Sequence, residues 1–380
     1  MFLKEELLLK FRERAPKYDK ENTFSYEDYE DLKKAGYLSA QVPKEYGGAG
    51  LSLKEIAHEQ TRLAMYAPGT ALGINMHQII VGLANYMVRK GNDKGVQILK
   101  DAAAGKLLSF GISEPANDRV LFGSITDAAK QEDGSYIFNG PKVFISMSGE
   151  ADKFVIYGND SADEENPKSV FAYVDNNEDT VIIDRNWDTL GMRATQSYNL
   201  ELKDLKASND EILTIINPME VSDPVLLGIF ANFEILLAAT YHGIGKRALE
   251  VGIETVKKRK SIANNTTYSN DPLIRERVAK AALMLNTIQP QIDRIADDFT
   301  NDVDYGKWLL PSLSAIKNYA TETSYKVVEE MVRASGGSSY SNNKELSRLY
   351  RDVLAGLFQP SDMESLKNSW ANTIFGPIEK

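Results

Sequence analysis

Three observations predict an α+β chain in three parts: all-α over residues 1–112, antiparallel β over 113–210, and helical again over 211–380. Helical spacing with repeated start and stop signals fills the first part. Short β-branched and aromatic runs, separated by turn residues, fill the second. Helical spacing returns in the third, and the order helix, strand, helix carries more than any single element.

In the first part, Ser25 with Asp28 makes a capping-box pattern, and Gly36 stands where that helix would end. The stretch Thr70 to Met87 is nearly all apolar and contains Gly73 and Gly82, as expected of a helix buried between others. In the second part, the strand-like runs are Tyr136-Ile137-Phe138, Phe154 to Tyr157, Val170 to Val174 and Val181-Ile182-Ile183. Asp133-Gly134, Asn139-Gly140, Gly158-Asn159-Asp160 and Asp175-Asn176-Asn177 supply the turn chemistry between them. These runs predict a small antiparallel β-domain or barrel, with Asp160 to Lys168 as an exposed hairpin loop. In the third part, Asp223-Pro224 opens a long helix, since a side-chain acceptor followed by proline suits a helix start. Its first turns, through Leu237, are apolar almost all round, which places it at the centre of its bundle. Asp271-Pro272 starts another helix, and Lys307 to Ala334 forms a third.

The composition excludes several function classes. The 380 residues are 43% hydrophobic and 26% charged, ordinary for a globular chain long enough to bury several cores. Zero cysteines rule out disulfides, Cys-ligated zinc and a thiol nucleophile, and fit a reducing, cytoplasmic setting. Acidic residues follow Met1 where a signal peptide needs a basic and then an apolar stretch. No window approaches 18 uninterrupted apolar residues, which speaks against a membrane span. A net charge of −10 argues against broad nucleic-acid binding. His58 reads as a solvated histidine, His242 as a core one, and no metal-ligand spacing occurs.

Five segments, in order, resemble the acyl-CoA dehydrogenase family over about residues 35–360. Pro43-Lys44-Glu45-Tyr46-Gly47-Gly48-Ala49-Gly50 is similar to that family's P-x-x-Y-G-G-x-G loop. Ser113-Glu114-Pro115, followed by Asn139-Gly140-Pro141-Lys142-Val143-Phe144-Ile145-Ser146, resembles its T/S-E-P and N-G-x-K-x-[FW]-I-[ST] pair. Leu190-Gly191-Met192-Arg193-Ala194-Thr195-Gln196-Ser197 resembles L-G-x-R-x-[ST]-x-[ST], a strand end and tight turn beside the cofactor; Ala248-Leu249-Glu250 is followed at the family spacing by Arg259. Last, Gly336-Gly337-Ser338-Ser339-Tyr340 precedes Arg351-Asp352 as a G-G-x-G-[YF] motif precedes R-D. The resemblance implies a C-terminal four-helix bundle and a flavin cofactor: FAD, with FMN as the alternative. It assigns Phe144 as the aromatic wall of the ring, with Ser113, Ile145 and Ser146 beside it. Arg259, Gly336 and Gly337 fall to the flavin diphosphate, typically that of a neighbouring subunit in a homotetramer or dimer.

The sequence departs from the family where its chemistry is centred. Most members place a glutamate base in a Y-E-G-T loop; this chain reads Phe358-Gln359-Pro360-Ser361-Asp362, with Pro360 at the glutamate position. Proline has neither a carboxylate to take the substrate's α-proton nor an N–H to hold the thioester oxygen. Some members carry the base on the central C-terminal helix, where Phe233 occupies the matching position. Glu234 is the candidate there, one residue and about 100° of helix rotation away. The F-x-P-S-D segment is similar to a branch that uses reduced flavin to activate oxygen; there Gln359, Ser146 and His77 would surround the reacting edge. Ser361 with Glu364 also makes a capping-box pattern for a final helix. The expected activity is oxidation of the CH–CH group of an acyl thioester, with electrons passing to an electron-transfer flavoprotein. A reduced-flavin monooxygenase and a non-catalytic flavin or acyl-CoA binder are the alternatives. No nucleic acid or membrane span enters any of these readings.

Overall fold

The computed structural model describes residues 1–162, 165–218 and 220–378. Its first helices are α1 (Glu5–Glu21), α2 (Tyr26–Lys34), α3 (Leu53–Tyr66), α4 (Pro68–Arg89) and α5 (Gly95–Ala103). The strands follow: β1 (Leu108–Gly111), β2 (Asp127–Lys130), β3 (Tyr136–Ile145), β4 (Lys153–Asp160), β5 (Lys168–Asp175), β6 (Val181–Asp184), β7 (Tyr198–Ala207) and β8 (Ile212–Ile216). Helix α6 (Pro224–Lys258) then leads through a small hairpin, β9 (Lys260–Ser261) and β10 (Thr266–Thr267), to α7 (Pro272–Asn286), α8 (Ile288–Thr300), α9 (Leu309–Ser335), α10 (Glu345–Leu354) and α11 (Met363–Phe375). Helices α6 to α9 pack together as a four-helix bundle.

Helix α6 is the axis of the molecule. Asp223 caps it by accepting the N–H groups of Val225 and Leu226, and Pro224 occupies its first turn. It packs against α3 and α4 on one side and against α7, α8 and α9 on the other. Ile229, Ile235, Leu236, Leu237 and Ile244 are wholly buried, each contributing about 1.5–3 kcal/mol. This helix is long and apolar enough to cross a membrane, yet 78% of its apolar window is buried inside the protein.

The sheet is mixed, where an all-antiparallel domain was expected. Its order is β6-β7-β3-β2-β4-β5-β8, and β4 also pairs with β1. The β1–β4 and β2–β4 pairings are parallel, because both earlier strands return to β4 through long connections. The strands extend a little beyond 113–210 at both ends. Asn139-Gly140 is not a turn between strands but an irregularity inside β3, where the register against β7 shifts. Gly140 has φ +146, and a side chain there would run into the backbone of Thr126. Strands β4 and β5 form the expected hairpin up to Asp160 and Lys168; Asp163 and Glu164 of its loop lie outside the described residues.

Two capping expectations are corrected. Ser25 makes no cap bond; Asp28 is drawn instead to Arg14 at 3.0 Å and Thr70 at 2.8 Å, pinning α2 to α1 and α4. At α11 the cap is Asp362, accepting from the Ser365 N–H at 2.8 Å, and not Ser361. His77, expected near the flavin, is a brace in the middle of α4. Its Nε2 donates to the Leu38 carbonyl at 2.8 Å and its Nδ1 accepts from the Leu108 N–H at 3.2 Å. Burial pushes the ring down to about 4, so it is neutral and both nitrogens are committed to backbone. It is not available to a cofactor.

The S-E-P and N-G-P-K motifs meet in a buried ion pair. Lys142 Nζ lies 2.5 Å from Glu114 Oε1 and also donates to the Tyr157 carbonyl at 2.7 Å, with both side chains fully inaccessible. Ser113 completes the junction, its carbonyl accepting the Val143 N–H at 2.8 Å. Burial alone would raise the Glu114 carboxyl; the charge and hydrogen bonds of Lys142, Ser124 and the Ile125 N–H override it and hold the group at about 2. Such a pair is strongly destabilising to break from one side, because the remaining charge is stranded. Lys142→Met should therefore lower the unfolding free energy by about 3–5 kcal/mol in urea denaturation. Because the folded value lies below the ordinary 4.5, the carboxyl's contribution should be complete above pH 4.5 and fade as the pH falls toward 2. His77→Phe should cost about 2–4 kcal/mol by orphaning the Leu38 carbonyl and Leu108 N–H.

Candidate functional site

The loop after α10 carries Phe358, Gln359, Pro360 and Ser361, and most of the ties on its backbone come from one side chain. Lys317, on the buried face of α9, donates to the carbonyls of Gly356 at 2.9 Å, Gln359 at 2.5 Å and Ser361 at 3.0 Å. Those three bonds use all three ammonium protons. Asn318 adds a fourth tie, 2.8 Å to the Ser361 carbonyl. The same loop receives Glu234 from α6. Glu234 Oε1 accepts from the Ser314 hydroxyl at 3.2 Å and from the Ser361 N–H at 3.3 Å. At 1% exposure, burial pushes the carboxyl well above its usual range, opposed by the Lys317 charge and those hydrogen bonds. Burial likewise pushes Lys317 down, opposed by Glu234, Asp362 and Glu322. Glu234 Oε2, Gln359 Oε1 and Ser361 Oγ are buried here without a hydrogen-bond partner among the described residues.

The end of β3 supplies the second cluster. A register shift between Lys142 and Ile145, with Phe144 at φ +60, turns the Phe144 ring out of the sheet, 66% exposed. Trp187 meets it edge-on, with centroids 6.2 Å apart. Ile145 is corrected: its side chain points into the sheet core at 1% exposure, opposite to Phe144, leaving only its backbone on the outer side. Ser146 is 7% exposed, and its Oγ lies 2.8 Å from Ser197 Oγ. Ser197 in turn lies 2.8 Å from Thr195 Oγ1.

Arg259, Gly336 and Gly337 come together at the end of the bundle. The Arg259 guanidinium sits 4.0 Å above the Tyr268 ring and against Gly336, whose φ of +76 and lack of Cβ allow that approach. Gly337 opens to free space. Among the described residues, no hydrogen bond, ion pair or ring contact joins this cluster to the one on β3. Arg351 and Asp352 fix the L-G-x-R turn: Arg351 donates to the Leu190 carbonyl at 2.9 Å, and Asp352 accepts the Met192 N–H at 2.7 Å.

These clusters suit a flat heteroaromatic cofactor. An exposed aromatic wall, a hydroxyl at its side and a glycine–arginine cradle are the features a flavin ring and a phosphate require. The structure thus brings Glu234 and Gln359 together, sets Phe144 and Ser146 on one strand end, and takes His77 out of the set. Sequence reasoning missed Lys317; it had Thr195 and Ser197 only as the hydroxyl positions of the L-G-x-R-x-[ST]-x-[ST] motif, with no role of their own. Lys317 had a readable signal: a lysine on the face of α9 shared with Leu313 and Ala320, where apolar residues were due. The motif marked the two hydroxyls, but nothing in it announced that they would line up with Ser146.

Comparison with known proteins covers the whole architecture. The family models for the acyl-CoA dehydrogenase N-terminal, middle and C-terminal domains match residues 2–106, 109–205 and 235–358. The putative acyl-CoA dehydrogenase YdbM of Bacillus subtilis is 25% identical over 352 residues, covering 92% of this chain and 90% of that protein. The amino sugar nitrososynthase DnmZ of Streptomyces peucetius is 27% identical over 352 residues, 90% of this chain and 84% of its own length. Among solved structures, FMN-bound TdsC of Paenibacillus sp. A11-2, a dibenzothiophene monooxygenase, superposes with a TM-score of 0.85 at 20% identity, over 98% of this chain and 96% of that one. Three family domains matched in order, on the fold they require, place this chain in the acyl-CoA dehydrogenase family.

Proposed function

We propose that the protein is a flavin-dependent oxidoreductase that works from reduced flavin and dioxygen, placing one oxygen atom on a small organic substrate. The observation that carries this reading is the state of Glu234, the carboxylate buried beneath the site loop. Pro360 stands where dehydrogenases hold their base, and Glu234 lies 1% exposed beneath the loop with Oε1 committed to Ser314 and Ser361. A base for α-proton removal needs an oxygen open to the substrate carbon, and here Oε1 is bonded while Oε2 is enclosed by the protein. The likeness to a nitrososynthase and a dibenzothiophene monooxygenase supports oxygen chemistry.

Bound reduced flavin would supply two electrons, so that one oxygen atom enters the substrate and the other leaves as water. A separate flavin reductase would replenish those electrons. This chain's residues would do the rest. Phe144 would hold the ring flat, Ser146 its edge, and Arg259 with Gly336 and Gly337 a phosphate, contributed from a second copy of the chain. The exposed Leu273 and Leu283 on α7, at 79% and 71%, offer an apolar face for such a homo-oligomer. FAD fits the cradle, with FMN as the alternative; mass spectrometry of the released cofactor separates them.

A second reading, acyl-thioester dehydrogenation with transfer to an electron-transfer flavoprotein, has one observation in its favour. Glu234 Oε2 has no hydrogen-bond partner among the described residues, and burial pushes its carboxyl upward as a base would need. The two readings separate in one pair of experiments. Stopped-flow mixing of the reduced holoenzyme with oxygen should show an absorbance transient that outlasts the reoxidation of free flavin, and no acyl-CoA in a panel should bleach the oxidised enzyme anaerobically. Bleaching by an acyl-CoA that disappears in Glu234→Gln would overturn the oxygenase reading in favour of the dehydrogenase.

A further inference from the structure

Three buried hydroxyls lead from a backbone carbonyl to the face of β3 that carries Phe144. Thr195 Oγ1 lies 2.8 Å from the Met192 carbonyl oxygen, Ser197 Oγ 2.8 Å from Thr195 Oγ1, and Ser146 Oγ 2.8 Å from Ser197 Oγ. Thr195, Ser197 and Ser146 are 1%, 5% and 7% exposed, so solvent has little access to the row. The direction of every bond in it follows from one fact. A carbonyl oxygen has no proton, so Thr195 must donate to Met192. A hydroxyl carries a single proton, so Thr195 can only accept from Ser197, and Ser197 can only accept from Ser146. Ser146 is left with lone pairs alone. Reversing the row would set the Thr195 and Met192 oxygens against each other at 2.8 Å with no proton between them.

The row has a rigid origin. Met192 is fixed by its own N–H on Asp352 at 2.7 Å, and Asp352 is held on α10 at 3% exposure. The far end is equally constrained, because the Ser146 carbonyl accepts the Ser109 hydroxyl at 2.6 Å. The polarity is thus written into the junction between the L-G-x-R turn, β1 and β3.

We propose that this row makes the site selective for the reduced, dihydro form of the flavin ring. The inference rests on the flavin reading above, with Ser146 at the edge of the ring. The central ring of a reduced flavin carries an N–H that Ser146 can accept. An oxidised ring carries a bare nitrogen lone pair there and meets another lone pair. A protein fed reduced flavin by a separate reductase gains from such a bias, since the spent cofactor is held less tightly than the fresh one.

The test is the binding of FMN and FAD, each in both redox states under anaerobic conditions, to the full-length protein, with the midpoint potential of the bound flavin as a second readout. The reduced form should bind at least tenfold more tightly than the oxidised form, which corresponds to a rise of about 30 mV or more over free flavin for a two-electron couple. Thr195→Val removes the hydroxyl that fixes the row, frees Ser197 and Ser146 to reverse, and should bring the ratio close to one. Thr195→Ser keeps the hydroxyl and should keep the ratio. A purely structural role for Thr195 would weaken both redox forms alike and leave the potential where it was. Equal affinities in the wild type, or an unchanged ratio in a folded Thr195→Val protein, would overturn the proposal while leaving the flavin reading intact. Failure of both redox forms of both flavins to bind would overturn the two together.

Discussion

A 35-residue helix that is apolar on nearly every face has to be covered on every side, and much of the architecture follows from that requirement. In α6 the buried residues run through all azimuths from Val225 to Ala248, so no single layer of neighbours can satisfy it. The N-terminal helices cover one flank and the rest of the bundle the other. Two helical regions far apart in sequence are thereby welded into one core. At Gly82 the fit is so close that a Cβ would collide with the side-chain amide of Asn232. The sheet joins this core through apolar residues of its inner face, among them Leu108, Phe110, Val155, Tyr157 and Phe171, and polar ties reinforce the seam. His77 ties α4 to β1, Asp352 ties α10 to the turn before β7, and Tyr173 reaches Asp101 on α5 at 3.0 Å.

The candidate site lies along these seams, which explains why its parts come from every region of the chain. Glu234 comes from the central helix, Lys317 from its bundle partner, Gln359 and Ser361 from the loop after α10, and Phe144 with Ser146 from the sheet. The loop departs from the Y-E-G-T pattern of the family resemblance but is not loosely held. Pro360 offers no acid where the family resemblance would place one, while the backbone around it is anchored on α9.

The fold was legible because its signals are local and repeated. Asp223-Pro224 and Asp271-Pro272 began helices as cap chemistry requires, and the runs at Tyr136, Phe154, Val170 and Val181 all became strands. What escaped notice depended on distance. Strand β1 exists because Leu108 to Gly111 pairs with β4, forty-odd residues away, and nothing in its own four residues announces that. Asn139-Gly140 carries turn chemistry, yet β7 on one side and Thr126 on the other made it a bulge. The site was legible in outline for the same reason: motif residues such as Phe144, Arg259 and Gly336 are read one at a time. His77 was misread because a histidine's role is set by what faces its two nitrogens, here the backbone of Leu38 and Leu108. Ile145 was misread because a motif does not record which side of a strand each residue occupies.

Lys317 spends all its protons on the carbonyls of Gly356, Gln359 and Ser361 and has none left for Glu234. Its influence on that carboxyl is exerted across space, by charge alone. The shape of the loop and the acidity of the group beneath it are therefore governed by separable properties of one ammonium: its directed donors and its undirected field. Substitutions at Glu234 can alter the proton inventory of the site while the loop keeps its form, and substitutions along the loop's side chains can alter what the site admits while its backbone stays anchored. A scaffold divided in this way is open to a change of chemistry without a change of fold.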